Sequence, residues 1–190
     1  METVVGGILA AFGLSASAGL NAYIPLLIVS LMAKFTDLIK LAEPWDALTS
    51  WWTIGVLLAL SLVEFFVDKV PLVDHINDLI QTFIRPTAGA ILFAASAKAI
   101  TDIHPVISIV AGLLVAGSVH VVKSVAVRPL ITATTAGAGN APVSTIEDII
   151  STLVSLISVV IPALIAVVFT VMVIWLLWWL SNRVERKRVS

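Results

Sequence analysis

Apolar residues fill this chain in five long stretches, and the polar residues between them mark out its elements. The first stretch, residues 4–34, is interrupted by the small-residue run Gly13, Leu14, Ser15, Ala16, Ser17, Ala18, Gly19, Leu20, Asn21. A continuous helix of about 30 residues would measure ~45 Å, longer than the ~30 Å hydrocarbon core of a bilayer. The pattern predicts a strongly tilted helix or one broken at the small residues. Residues 35–50 carry Asp37, Lys40, Glu43, Pro44 and Asp46, a polar connector suited to a membrane surface. The second stretch, 51–69, opens on Trp51 and Trp52, an interfacial anchor, and Pro71 ends it.

The third stretch, 74–99, starts at Asp74-His75-Ile76-Asn77-Asp78 with Asp74 as the expected N-cap, then meets Arg85-Pro86. The pieces flanking that proline are about 12–13 residues each, roughly 18–20 Å of helix and too short to span alone. The fourth, 105–127, carries His120 and Lys123 in its last turns, and a Thr-, Ala- and Gly-rich loop over 132–142 follows. The fifth opens on Ser144-Thr145-Ile146-Glu147, a capping-box pattern, and runs past Pro162 to residue 180. A rod of about 38 residues would approach 60 Å, which predicts a bend or hairpin at Pro162. Trp175, Trp178 and Trp179 form an aromatic belt ahead of the basic tail 183–190, which places the C-terminus in the cytoplasm.

Stretches two and four superpose without gaps, setting Val63 on Val119 and Glu64 on His120. Past an insertion, Ile76-Asn77-Asp78 falls on Ile146-Glu147-Asp148, and each copy then reaches a proline, Pro86 or Pro162. The expected fold is therefore all-α: a polytopic helical membrane protein in one domain, 1–190. Its helices are broken by proline, and it carries a weak two-fold repeat over 51–100 and 105–175. If each proline reverses the chain the copies are inverted, and if the prolines only kink it they are parallel. The short pieces around Pro86 favour inversion. Interrupted helices at matched positions are the usual pointer to a transporter site between repeat halves.

Composition narrows the function. The chain of 190 residues is 59% hydrophobic and carries 11 Lys plus Arg against 12 Asp plus Glu. Its mean hydropathy is +1.09. The net charge of −1 gives no reason to expect a nucleic-acid partner. The absence of Cys removes thiolate metal sites, disulfides and a Cys nucleophile. The acidic start Met1-Glu2-Thr3 makes the first stretch a retained segment and not a signal peptide. There is no zinc-protease His motif, no nucleophile elbow and no phosphate-binding Gly loop, and His75, His104 and His120 lack metal-ligand spacing. The expectation is a protein without catalytic residues, metal or cofactor.

Charge inside the apolar stretches is the remaining signal. A carboxylate at the centre of a membrane helix costs roughly 2.5–3.5 kcal/mol even on lenient scales, so it needs a partner, a hydrated cavity or the headgroup level. Glu64 and Asp68, four apart, share a helix face, and His120 and Lys123 form a basic face at the equivalent place in the second copy. One reading makes Glu64 and Asp68 a cation or proton site, with His120 and Lys123 as counter-charges. The other makes Glu64 an ion-paired lock to Lys123 or His120, with Asp68 and Lys69 near the headgroups.

Asp74, Asn77, Asp78, Glu147 and Asp148 suit helix starts, where acidic groups complement the helix dipole. The recurrence of Asp78 and Asp148 at matched positions adds them to the candidate site. Asn21 is either part of a broken-helix ion site or glue between tightly packed helices. Arg85, Arg128 and Lys69 are candidates for phosphate or lipid contact, or simply reach toward the interface.

The segments 13–25 and Glu64 to Pro71, then Asp74 to Asp78 and Arg85-Pro86, resemble a bacterial integral-membrane family catalogued only as a domain of unknown function. In its repeated helical units the chain is also similar to small lysine-exporter-type transporters. These resemblances imply a fold and bring no substrate motif. The leading expectation is a small inner-membrane transporter or channel-like protein for a cation, proton or amine-bearing solute. The alternative is a scaffold, lipid-interacting or lipid-translocating protein whose charges are structural pairs. Membrane lipids and a small cation or solute are the expected partners, and assembly as a homo-oligomer stays open.

Overall fold

The computed structural model describes residues 2–69, 71–98 and 103–161, together with positions 171 and 175. All regular structure among these residues is helical: α1 Glu2–Leu20, α2 Tyr23–Phe35, α3 Trp51–Val67, α4 Pro71–Lys98, α5 Pro105–Val121 and α6 Arg128–Thr135, with a single 3₁₀ turn, Trp45–Thr49, before α3. A π-helical turn, Val122–Val127, fuses α5 and α6 into one rod, Pro105–Thr135. The last described helix is α7, Asn140–Ile161. Three of these helices are long and apolar enough to cross a membrane.

The radial distribution of residue types is that of a membrane protein. Leu58, Leu62, Phe66, Val110, Leu114, Ile146, Ile150 and Leu153 face outward, while Ser15, Ser17, Asn21, Glu64, Asp68, Arg85, His120 and Lys123 are buried. In lipid the apolar side chains have no reason to turn inward, and polar groups must find partners inside the protein.

α1 packs against both α4 and α5, and α4 against α5. Small residues make these contacts close. The missing side chains of Gly89 and Gly112 face each other's backbones: a Cβ on Gly112 would collide with the Gly89 carbonyl and lie 2.8 Å from Ala90 Cα. Ser15 Oγ donates to the same Gly89 carbonyl at 2.8 Å. α1 and α7 run antiparallel along a ladder of small and polar residues. Gly13 faces Ser158, Ser17 Oγ lies 2.8 Å from Ser151 Oγ and 2.7 Å from Ser155 Oγ, and Asn21 meets Asp148.

Several sequence expectations shift here. The small-residue run does not break α1. The helix continues to Leu20, and the interruption is confined to Asn21 and Ala22. Pro86 lies inside α4, which continues through it, so it does not reverse the chain. Neighbouring hydroxyls make this tolerable: Thr87 Oγ1 donates to the Phe83 carbonyl at 2.7 Å, beside the hydrogen bond that the proline removes. The condition for an inverted repeat is thus missing in the first copy.

α4 begins at Pro71, which needs no N–H in the first turn, so Asp74 is a helical residue and not the cap. α7 likewise begins at Asn140, directly after a turn with Ala136 and Gly137 at positive φ. That start leaves Ser144 and Glu147 inside the helix instead of in a capping box. The expectations for Pro162, Trp178, Trp179 and the tail 183–190 lie outside the described residues.

The glycine contact makes a clear prediction. Gly112→Ala forces backbone apart and should lower stability by about 1–3 kcal/mol, whereas Gly55→Ala, with nothing within 4 Å, should be neutral. Thermal midpoints in detergent measure both.

Candidate functional site

The ends and starts of these helices bring nearly all the ionisable residues singled out from the sequence into one buried cluster. α3 carries Glu64 in its last turn and ends on Asp68. A carboxylate at a helix C-terminus opposes the helix dipole, so Asp68 needs strong compensation. It receives Asn77 Nδ2 on Oδ1 at 2.7 Å and Ser144 Oγ on Oδ2 at 3.2 Å. Oδ2 also sits 3.6 Å from Arg128 Nη2 and 3.9 Å from Arg85 Nη2.

Arg85 is the centre of the first half. It has no accessible side-chain surface, and its Nη2 donates to Glu64 Oε1 at 2.9 Å. Its Nη1 lies 4.0 Å from Asp78 Oδ1 and 3.3 Å from His120 Nδ1. A guanidinium can only donate, so this His120 nitrogen acts as an acceptor and the ring's proton sits on Nε2. Nε2 then donates to Thr82 Oγ1 at 3.1 Å, and Thr82 in turn donates to the Asp78 carbonyl at 2.9 Å. His120 is therefore a neutral acceptor here, and the counter-charge to Glu64 is Arg85.

Lys123 organises the second half. It donates to Glu147 Oε2 at 2.8 Å and to the carbonyl of Leu20, the last residue of α1, at 2.9 Å. A cation there meets both a carboxylate and the negative end of a helix. Arg128 Nη2 reaches the same Glu147 Oε2 at 3.2 Å. The π turn explains how both basic residues face inward. Five residues apart on an α-helix, they would differ by about 140°, whereas i→i+5 bonding stacks them one above the other. Pro129 follows directly, and the widened turn sits where its ring would crowd an α-helical carbonyl.

Asn21 joins the helix break to the cluster. Its Oδ1 accepts from the backbone of Tyr23 and Ile24, both at 3.0 Å, which caps α2, while Nδ2 donates to Asp148 Oδ1 at 2.9 Å. Asn21 is thus both the break and the glue. The exposed carbonyl of that break, Leu20 O, goes to Lys123.

Several polar atoms in the cluster stay without a hydrogen bond though buried: Glu64 Oε2, Asp148 Oδ2, Gln81 Oε1 and Arg85 Nε. Among the described residues no three His, Cys, Asp or Glu side chains converge on a metal-binding geometry. Two cavities flank α7. One, of about 500 Å³, is lined by Leu20, Val119, Val122, Ile146 and Ile150 together with Lys123 and Glu147. The other, of about 230 Å³, is formed by Phe65, Thr145, Asp148, Ile149, Thr152 and Leu153. Lys69 lies against one of these lining residues, donating to the Phe65 carbonyl at 2.9 Å with its ammonium 3.1 Å from the Phe65 ring centroid.

The sequence-derived candidates Asn21, Glu64, Asp68, Asp78, His120, Lys123 and Asp148 therefore come together, but their pairings differ from the expected ones. Glu64 bonds to Arg85 in place of Lys123 or His120. Arg85 and Arg128, which could have reached the interface, are buried among carboxylates. Glu147, Asn77, Ser144 and Gln81 were missed as members. The signal for them was a polar stripe, 78–81–82–85 on α4 and 144–147–148–151–155 on α7, which follows helical spacing.

Fold and site together define a helical membrane protein built around an internal charge network. The chain belongs to the family described as Domain of unknown function (DUF4126), which matches residues 8–183. No curated protein and no solved structure matches it.

Two outcomes follow from this geometry. Arg85→Met strands Glu64 and should cost about 3–5 kcal/mol, and Glu64→Gln in the same chain should recover part of it. A double-mutant cycle on thermal or denaturant unfolding in detergent should give larger coupling for Glu64 with Arg85 than for Glu64 with Lys123. Deleting Ala126, an outward residue of the π turn, turns that segment α-helical while keeping Lys123 and Arg128 on one face. It should lower the thermal midpoint less than deletion of Leu114, in the regular part of α5.

Proposed function

We propose that this protein is a small transporter or channel-like protein of the bacterial inner membrane, with its basic tail in the cytoplasm. It would move a proton, a small cation or an amine-bearing solute through the cluster between α1, α3, α4, α5 and α7, and it would perform no catalysis. The observation that carries this reading is the charge balance. Among the described residues the buried carboxylates of Glu64, Asp68, Glu147 and Asp148 outnumber the buried cations Arg85, Lys123 and Arg128 by one. At the margin, half-buried Asp78 adds one acid and half-buried Lys69 one base, leaving the excess unchanged. One proton or one monovalent cation would neutralise the network. Carboxylate oxygens for it are at hand in Glu64 Oε2 and Asp148 Oδ2. Uncompensated charge at membrane depth is costly, which is why such groups tend to serve function.

A second reading is favoured by the close pairing of Arg85 with Glu64 and of Lys123 with Glu147. On this reading the cluster only fixes helix positions in a scaffold or lipid-interacting protein, and its lipid-translocating variant draws on Lys69, Arg85 and Arg128.

Proteoliposomes separate the two. Under the transport reading, wild-type protein conducts protons, sodium or methylammonium down an imposed gradient, and Glu64→Gln abolishes the flux while the folded protein is retained. Wild-type flux that survives intact in Glu64→Gln overturns the role of Glu64. Stability loss in Glu64→Gln with no wild-type flux of any of these ions supports the scaffold.

A further inference from the structure

We propose that the 230 Å³ cavity between the end of α3 and the outer face of α7 is a recognition site for a small organic ammonium ion. This rests on the cation-transport reading and narrows its substrate class.

Three independent features converge there. Asp148 lines the cavity, is about nine-tenths buried, and has one carboxylate oxygen, Oδ1, held by Asn21 while the other, Oδ2, has no hydrogen-bond partner. A buried carboxylate with one oxygen fixed and one vacant is a directed acceptor for a cation. Phe65 supplies an aromatic wall beside it, and an aromatic face attracts ammonium groups through its quadrupole.

The third feature is Lys69. The protein already places an ammonium on this ring, 3.1 Å from its centroid, and that ammonium interacts electrostatically with Asp148. Lys69 is thus a tethered occupant that shows which charge the surroundings accept.

The remaining walls decide between a metal ion and an organic cation. Ile149 and Leu153 are apolar, and the hydroxyls of Thr145 and Thr152 donate to the backbone carbonyls of Ala141 and Asp148. A metal ion would find one carboxylate and at most two hydroxyl oxygens there, fewer than the six or more oxygens that would replace its water. An alkylated ammonium suits both parts, with its charge on Asp148 and its carbon substituents against Phe65, Ile149 and Leu153. The hollow is open along the protein surface, so its walls set the contacts that a guest makes and not its overall size. Lys69 leaves when the guest arrives, so the tether acts as a competitor and sets the affinity.

Choline and its uncharged carbon isostere 3,3-dimethyl-1-butanol test this in detergent-solubilised full-length protein by titration calorimetry. Choline should bind and the isostere should not. Asp148→Asn keeps an acceptor for Asn21 and should weaken choline at least tenfold, and Phe65→Leu should weaken it several-fold. Lys69→Met should tighten choline several-fold, an effect that a merely structural lysine would not produce and that stays readable if Asp148→Asn fails to fold.

Equal binding of choline and isostere, no choline binding in wild-type protein, or unchanged or weaker choline binding in Lys69→Met overturns the site. If Glu64-dependent flux is present but choline does not bind, this inference fails alone. If choline binds as described while no ion is conducted, the transport reading fails and the site stands.

Discussion

Everything in this structure depends on the arginine buried between α3, α4 and α5. Arg85 carries a guanidinium that can only donate and has no accessible side-chain surface, so the fold must bring acceptors to it. Glu64, Asp68, Asp78 and His120 arrive from three different helices to do so. In hydrocarbon there is no general hydrophobic pressure to pack helices, and polar contacts with close small-residue packing take over that task. The outward Leu, Ile, Val and Phe residues follow passively.

The two halves of the cluster solve the same electrostatic problem with opposite distributions of charge. In the α3–α4 half, Glu64 and Asp68 end the leading helix, and the base Arg85 lies on the following one together with Asp78. In the half formed by α5, α6 and α7, bases lead and acids follow. Asp68 bridges the two, between Arg85 and Arg128. Each half can nearly neutralise itself, and a single shared carboxylate makes them one network. A change of charge at either end is therefore felt along the cluster, through successive ion pairs of 2.8–4.0 Å.

Much of this was legible in the residues. Five apolar stretches, the small-residue run and the isolated charges led to an all-helical membrane protein with Glu64, Asp68, His120 and Lys123 near one another. What pattern reading could not deliver was pairing, because salt-bridge partners are set by helix rotation and not by proximity in sequence. Ser144 and Glu147 fit a capping box by spacing, but α7 starts one turn earlier, and the same spacing then aims both at Asp68, Lys123 and Arg128. Pro86 read as a break because the proline penalty is derived from water-exposed helices. Within a bilayer an unbroken helix is the cheaper solution, and the Thr87 hydroxyl adds a hydrogen bond to the Phe83 carbonyl next to the one that is lost. The π turn left no mark in hydropathy, since it alters which residue faces inward without altering which residues are apolar.

The ladder between α1 and α7 has a consequence for movement. Gly13 opposite Ser158, Ser17 opposite Ser151 and Ser155, and Asn21 opposite Asp148 work like the teeth of a ruler, each meaningful at one longitudinal position. Sliding α7 along α1 by a turn would part these hydroxyls from their partners across the seam and carry Asp148 past the Asn21 amide that holds it. Translation along that seam is therefore opposed by several rungs at once. Rearrangement at Asp148 has to come from rotation of α7 or from flexing at the two-residue joint after Leu20, where a backbone carbonyl is already lent to Lys123.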